Sequence, residues 1–328
     1  MTTATATPIA SPAPAIPPDP GPKRTRSWIS RFRPSRIVVN VVLGAIALFW
    51  LMPSLSMLII SFRPAGLFEI SGWWKAFTTP SQLTLQNYKE LFVGGNSTVL
   101  GGGVPSGLAP GSVLDSLRTS LEISIPATIL VTLIASLTAY SLVFGRWRGR
   151  NIVFLTIVGL MVVPLQVALI PVASLYKDLG SAIGWNPFGT VSGVVMFHVA
   201  FGLPFGIFLM RNFFTGIPTA LIEAGRIDGA GEWTLFRRVV IPLAVAAAAS
   251  LAIFQFIWVW NDLLVALVFL GGSPHVPLTL FLYNQERTLA ANFWIISTGS
   301  MVSIIVPLIV FLSFQRYFVR GMLAGAVK

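Results

Sequence analysis

LIEAGRIDGAGEWTLFRRVVIP, residues 221–242, is the longest polar-rich stretch between two strongly apolar segments in the C-terminal half of the sequence. Residues 191–210 are apolar apart from Ser192 and His198, and residues 241–270 carry only a few polar side chains. Pro218 suits the first turn of a helix, where a missing N–H costs little. Residues 220–228 then make about two helical turns. Glu223 and Arg226 stand three apart on one face, and Leu221, Ala224 and Ile227 occupy another. Gly229 and Gly231 are expected to end this helix, because glycine accepts positive φ without a Cβ clash. Residues 232–240 restart a helix with Trp233 and Phe236 on one side, and Pro242 opens the next apolar run. The pattern predicts a docked pair of short helices in place of a slack tether.

The composition says where such a loop sits. The 328 residues are 55% hydrophobic and 10% charged, with mean hydropathy +0.80. Soluble domains carry about 25% charged residues, so the class is an all-α, polytopic integral membrane protein. A span needs about 20 apolar residues, and six runs qualify: about 37–61, 120–144, 152–176, 190–210, 243–270 and 292–318. The fifth and sixth are long enough to be tilted or broken. Residues 1–36 form a separate tail. Its first 22 residues are rich in Pro, Ala and Thr with one charge, Asp19, and are expected to be disordered. Lys23, Arg24, Arg26, Arg31, Arg33 and Arg36 follow as a topology anchor.

The net charge of +11 does not point to nucleic acid, because the basic residues flank apolar runs and no aromatic-interleaved basic patch exists. Their distribution gives an orientation. Sixteen lie on one side: the six just named, then Arg146, Arg148, Arg150, Arg211, Arg226, Arg237, Arg238, Arg316, Arg320 and Lys328. Six lie on the other: Arg63, Lys75, Lys89, Arg118, Lys177 and Arg287. Positive charge collects on the cytoplasmic side, so both termini and residues 221–242 are expected there. Across the membrane, residues 62–119 form a long segment in which Trp73, Trp74 and Phe77 suit the aromatic interface. Residues 94–111 are a Gly-rich insertion and no phosphate cradle, since no Gly-Lys-Ser/Thr follows, and no Walker A pattern occurs in the chain. There are no cysteines.

On these residues the stretch resembles the cytoplasmic EAA loop of ABC importer membrane subunits: Glu-Ala-Ala, three residues, Gly, nine residues, Ile-x-Leu-Pro. Glu223, Ala224, Gly229 and Pro242 match at that spacing. Gly225 replaces the second Ala, Val239 the Ile and Ile241 the Leu. The end of the chain, QRYFVRGMLAGAVK, resembles the C-terminus of the maltose-type permease subunit, with its Gly-x-x-Ala-Gly-x-Val-Lys. WNDLL, residues 260–264, is similar to a segment of carbohydrate-specific members. The resemblance covers residues 37–328. It implies a permease domain of a sugar importer in the cell inner (plasma) membrane, with no catalytic site of its own. The implied partners are a second homologous permease subunit, two ATP-binding subunits and an extracytoplasmic sugar-binding protein. ATP and Mg would be held by the ATPase subunits, and no cofactor by this chain. The resemblance further implies coupling to the ATPases through Glu223, Ala224, Gly225, Asp228, Gly229, Ala230 and Gly231. Gly321, Ala324 and Gly325 would lie at the ATPase interface.

Polar groups inside the apolar runs remain. Asp262 lies about 20 residues, or roughly 30 Å, beyond the start of the fifth span. A carboxylate there must face protein or water. With Gln255, Trp258 and Asn261 it offers hydrogen bonds and an aromatic face, as a sugar pathway requires. A helix-packing network explains the same residues equally well. Glu122 reads as a solvated interfacial carboxylate, and His198 stands alone on an apolar face. With two histidines and no cysteine, a metal site is not expected. Pro53, Pro126, Pro164, Pro171, Pro204 and Pro307 lie within spans, and Gly202 and Gly206 form a small-xxx-small pair. An ion-coupled secondary transporter would need coupling groups near the midplane and often carries internal repeats. A membrane enzyme would need paired carboxylates, a nucleophile with its base, or metal ligands. The sequence offers neither set.

Overall fold

A computed structural model describes residues 36–68, 70–93, 112–286 and 293–326. Every regular element among them is helical. The basic anchor before residue 36, the insertion 94–111 and Arg287 lie outside the described residues. The chain divides between Met52 and Pro53 into two units. The first contributes most of α1, Arg36–Ser61, whose apolar side chains are exposed from Ile37 to Leu55, while Ile60 near its end is buried.

The second unit opens with the end of α1 and the segment behind it. Here lie α2, Ala65–Phe68, two short 3-10 turns, Trp73–Phe77 and Pro80–Gln82, and α3, Gln86–Val93. Arg63 is buried and donates to the carbonyls of Ser71 and Gly72, at 3.0 and 2.7 Å, and to Ser71 Oγ. Asn87 Nδ2 donates to the carbonyls of Ser61 and Arg63. These bonds satisfy backbone groups that no regular structure serves. Trp74 and Phe77 stay exposed, the condition an interfacial belt requires.

The bundle is built on α4, Val113–Phe144, α7, Val191–Phe214, and α10, Ile241–Trp260. α4 begins seven residues before the expected start, because Ser112 accepts the Asp115 N–H and caps it. Lipid removes most of the hydrophobic drive for helix association, so close packing carries it. Gly202 and Gly206 supply the close approach. A Cβ on Gly206 would stand 3.0 Å from Ala135 Cβ, and one on Gly202 would stand 2.6 Å from Gln255 Nε2.

Two expected spans are broken. The third, 152–176, is two helices, α5, Arg150–Leu160, and α6, Leu165–Ile183, with a bend of 101° between them. Pro164 forces this break: its own backbone is extended, and it disfavours helical geometry at the residue before it. The fifth, 243–270, stops at Trp260 and resumes as α11, Leu264–Leu270. By length and composition, five helices among the described residues can cross a membrane, and six if the bent pair counts as one.

α8, Thr219–Ile227, and α9, Glu232–Leu235, lie between α7 and α10, and α12, Leu278–Glu286, follows α11. α13, Phe293–Ala326, runs past the expected end at residue 318, and Gly321, Ala324 and Gly325 fall in its last turns. Pro53, Pro126, Pro171, Pro204 and Pro307 sit inside helices that continue through them.

Candidate functional site

The loop between α7 and α10 is as ordered as its sequence suggests. Pro218 is extended and stands just before α8, so no helical bond needs its missing N–H. One side of α8 packs inward through Ile222, which is buried in a cluster with Leu235 and Phe236. The opposite side is open: Leu221 is 47% and Ile227 86% exposed, and Glu223, Ala224 and Asp228 are exposed with them. A helix with an apolar side on each face presents one to this chain and leaves one for something else.

Gly229 ends α8 in the left-handed region at φ +80°. Its N–H donates to the Arg226 carbonyl at 3.1 Å, and the Ala230 N–H donates to the Gly225 carbonyl at 2.9 Å. This pair of bonds is a Schellman motif, which satisfies carbonyls at the helix end. Gly231 departs from the expectation of positive φ: it is extended at φ −69°, and its carbonyl accepts the Leu235 N–H to start α9. Gly225 has a different reason to be small. A Cβ there would stand 2.5 Å from Leu235 Cδ2, so its absence lets the fully buried Leu235 close over α8.

The second short helix is not separate, as the expectation for residues 232–240 had it. α9 widens into a π-helical turn over Phe236–Val240 and runs directly into α10. The Ile241 N–H reaches back five residues to the Phe236 carbonyl. Pro242 follows, with no N–H to continue the ladder; a widened turn beside it accommodates the ring. Trp233 and Phe236 do share a side, with ring centroids 5.6 Å apart.

Arg226 pairs with Glu232, across the Gly229 reversal, where the sequence set it beside Glu223. Arg226 Nε donates to Glu232 Oε1 at 2.9 Å, and Arg226 Nη2 donates to the Phe144 carbonyl at 2.9 Å. Tyr140 Oη donates to Glu232 Oε2 at 2.6 Å. Phe144 is the last residue of α4, so its carbonyl has no helical donor. A cation at that end also suits the helix dipole. The Glu232 bond raises the Arg226 pKa, so the guanidinium keeps its charge. Nothing in the spacing of 221–242 pointed to Tyr140 or Phe144.

The polar residues of the fifth span lie at the α10–α11 break. Asp262 Oδ2 accepts the Val265 N–H at 2.9 Å, capping α11, and lies 3.7 Å from His198 Nε2. The Asp262 carbonyl accepts Thr279 Oγ1. His198 therefore has company: the Trp258 ring also stands edge-on at 5.2 Å. Gln255 is buried against Gly202. Gln255, Trp258 and Asp262 thus meet α7 on one side, while Asn261 is exposed and donates to the Ile257 carbonyl of its own helix. A cavity of about 10 Å³ beside Asp262, shared with Ser124 and His198, has room for about one water and none for a sugar ring. Glu122 pairs with Arg118 at 2.7 Å in an exposed position, as a solvated carboxylate should. No cluster of three or more potential metal-binding His, Cys, Asp or Glu residues occurs among the described residues.

Comparison with known proteins follows the same lines. The family described as "Binding-protein-dependent transport system inner membrane component" matches residues 131–324. The osmoprotective compounds uptake permease protein GgtD of Synechocystis sp. is 40% identical over 93% of this chain and 95% of its own length. The alpha-glucoside transport system permease protein AglG of Rhizobium meliloti is 41% identical over 76% of this chain, a match that spans 62% of that protein. Among solved structures, a bacterial ABC transporter involved in the import of the acidic polysaccharide alginate shares the fold. Its TM-score is 0.67 at 23% identity, over 86% of this chain and 95% of that one. The match to more than half of the sequence, and a relative at 40% identity along nearly its whole length, place this chain in the family of binding-protein-dependent transport system inner membrane components.

Proposed function

We propose that this chain is the membrane-spanning permease subunit of an ATP-driven carbohydrate importer, and that residues 218–242 couple it to the ATP-binding subunits. The observation that carries this is the exposed apolar side of α8. Leu221, Ala224 and Ile227 project from a helix fixed on its other side by Ile222 and ended by Gly229. Glu223 and Asp228 are exposed beside that face, and Gly225, Ala230 and Gly231 set the packing and the reversal behind it. The carbohydrate class rests on the relative named for alpha-glucoside transport and on the WNDLL segment.

In this reading the importer holds a second homologous permease subunit, two ATP-binding subunits and an extracytoplasmic binding protein. ATP and Mg belong to the ATP-binding subunits. The chain crosses the inner membrane several times with both termini in the cytoplasm, a reading that the distribution of Lys and Arg supports. Closure of the ATPase pair on ATP shifts the permease between two states through contacts that differ between them. Gly321, Ala324 and Gly325, small residues at the end of α13, approach the ATPase pair. On the pathway side, Trp258 and Asn261 are exposed and suited to meet the sugar, while Gln255 and Asp262 support them from within the bundle.

Reconstituting the chain with its partners and measuring ATP-dependent sugar uptake tests the reading. Uptake that requires the binding protein and ATP supports it. Uptake driven by an ion gradient without ATP refutes it.

A further inference from the structure

Arg226 and Glu232 stand on opposite sides of the Gly229 reversal, six residues apart, and each also grips the end of α4. The four groups close a ring: Arg226 to Glu232, Glu232 to Tyr140, and Arg226 to the carbonyl of Phe144, which shares the last turn of α4 with Tyr140. We infer that Arg226 and Glu232 are positioning residues that lock residues 219–235 to α4, so that a push on the exposed face of α8 is delivered to α4. This rests on the reading of 218–242 as the coupling loop.

The physical case has three parts. α8 is nine residues long and buries only Ile222, so without a tie it would pivot about the residues between Phe214 and Thr219. A lone exposed ion pair would be a poor tie, worth about 0.2–1 kcal/mol. This pair is extended by two further bonds, one from the buried Tyr140 and one to an otherwise undonated helix-end carbonyl. A guanidinium also reaches the two acceptors with separate nitrogens held in one rigid plane, Nε to Glu232 and Nη2 to the Phe144 carbonyl. α4 then transmits, because it is packed against α7 and α10 with Gly206 in close approach, and a packed interior yields as a solid.

The test uses the assembled transporter in lipid. The chain has no cysteine, so Thr219→Cys on α8 and Leu137→Cys on α4, both exposed, are its only sites for spin labels, and partner subunits with their own cysteines replaced are used. The label-to-label distance should be the same without nucleotide and with ATP. Arg226→Gln and Glu232→Gln should each broaden it and lower sugar transported per ATP by at least about fivefold, the lower end of allosteric coupling. The ATP-binding subunits should still copurify with both variants, because the exposed face of α8 is untouched. Arg226→Lys should recover only part of the coupling, since a single nitrogen replaces a planar fork whose Nε and Nη2 reach Glu232 and the Phe144 carbonyl separately. A wild-type distance that shifts by about 5 Å, one helical turn, on ATP binding would overturn the inference. So would unchanged transport per ATP in both Gln variants. If the ATP-binding subunits fail to copurify with the wild type, the coupling-loop reading itself has failed; if they copurify while the labels move apart, only the lock has.

Discussion

Asp262 Oδ2 stands 3.7 Å from His198 Nε2 while accepting the Val265 N–H at 2.9 Å, so one carboxylate caps the start of α11 and packs beside a buried histidine of α7. The cap is the part of this arrangement that an amide can reproduce. Asp262→Asn is therefore expected to assemble normally and to keep its sugar selectivity. Asp262→Ala loses the cap and should cost about 1 kcal/mol, within the 0.5–2 range of helix caps. Thermal unfolding of the purified assembly, read beside sugar affinity, checks both. A change of selectivity in Asp262→Asn would put the carboxylate on the pathway itself.

Trp258 and Asn261 are the exposed members of the same group. If they meet the sugar, Trp258→Ala should raise the apparent KM for uptake more than Asp262→Asn does. Expression should be unchanged, because Trp258 is not part of the buried core.

Gly229 is held at φ +80° with open space where a Cβ would point. Within this chain, the Cβ of Gly229→Val meets open space, and the cost expected is backbone strain of about 1–2 kcal/mol. The protein should reach the membrane, but with α8 misdirected it should lose uptake and bind the ATP-binding subunits less in pull-downs. Gly229→Asn, a residue that tolerates this conformation better, should retain more uptake. Equal and normal uptake by both would mean that the loop's geometry is irrelevant.

Gly225 and Leu235 form a matched pair, since a Cβ at 225 meets the tip of the leucine at 2.5 Å. Gly225→Ala gains up to about 1 kcal/mol of helix propensity and loses some of it in moving that tip. Gly225→Val is bulkier and should be defective, and Leu235→Ala should partly rescue it. A double-mutant cycle on stability measures the coupling; additive effects would refute the contact.

The membrane class was legible because composition alone separates it from soluble folds. Gly229 was legible because few residues other than glycine turn a helix end so sharply. Gly231 looked the same in sequence and is not, since its φ is negative and it starts the next helix. The breaks were harder. Pro164 ends a helix, yet Pro126, Pro171, Pro204 and Pro307 pass through helices that continue, because neighbours decide whether the ladder recovers. The Arg226–Glu232 pair was hidden from helical spacing rules. Six residues bring two side chains together only after the Gly229 reversal, and Tyr140 and Phe144 join them from far away in the chain. His198 seemed isolated for the same reason: Asp262 reaches it only through packing.

The central claim is that the exposed side of α8 is where the ATP-binding subunits dock. A photoreactive residue in place of Ile227, which is 86% exposed at the tip of that face, tests it in the assembled transporter. The account predicts a crosslink to an ATP-binding subunit, and none from the same residue in place of Ile222 on the buried side. A crosslink only to lipid, or no crosslink at normal assembly, would contradict it.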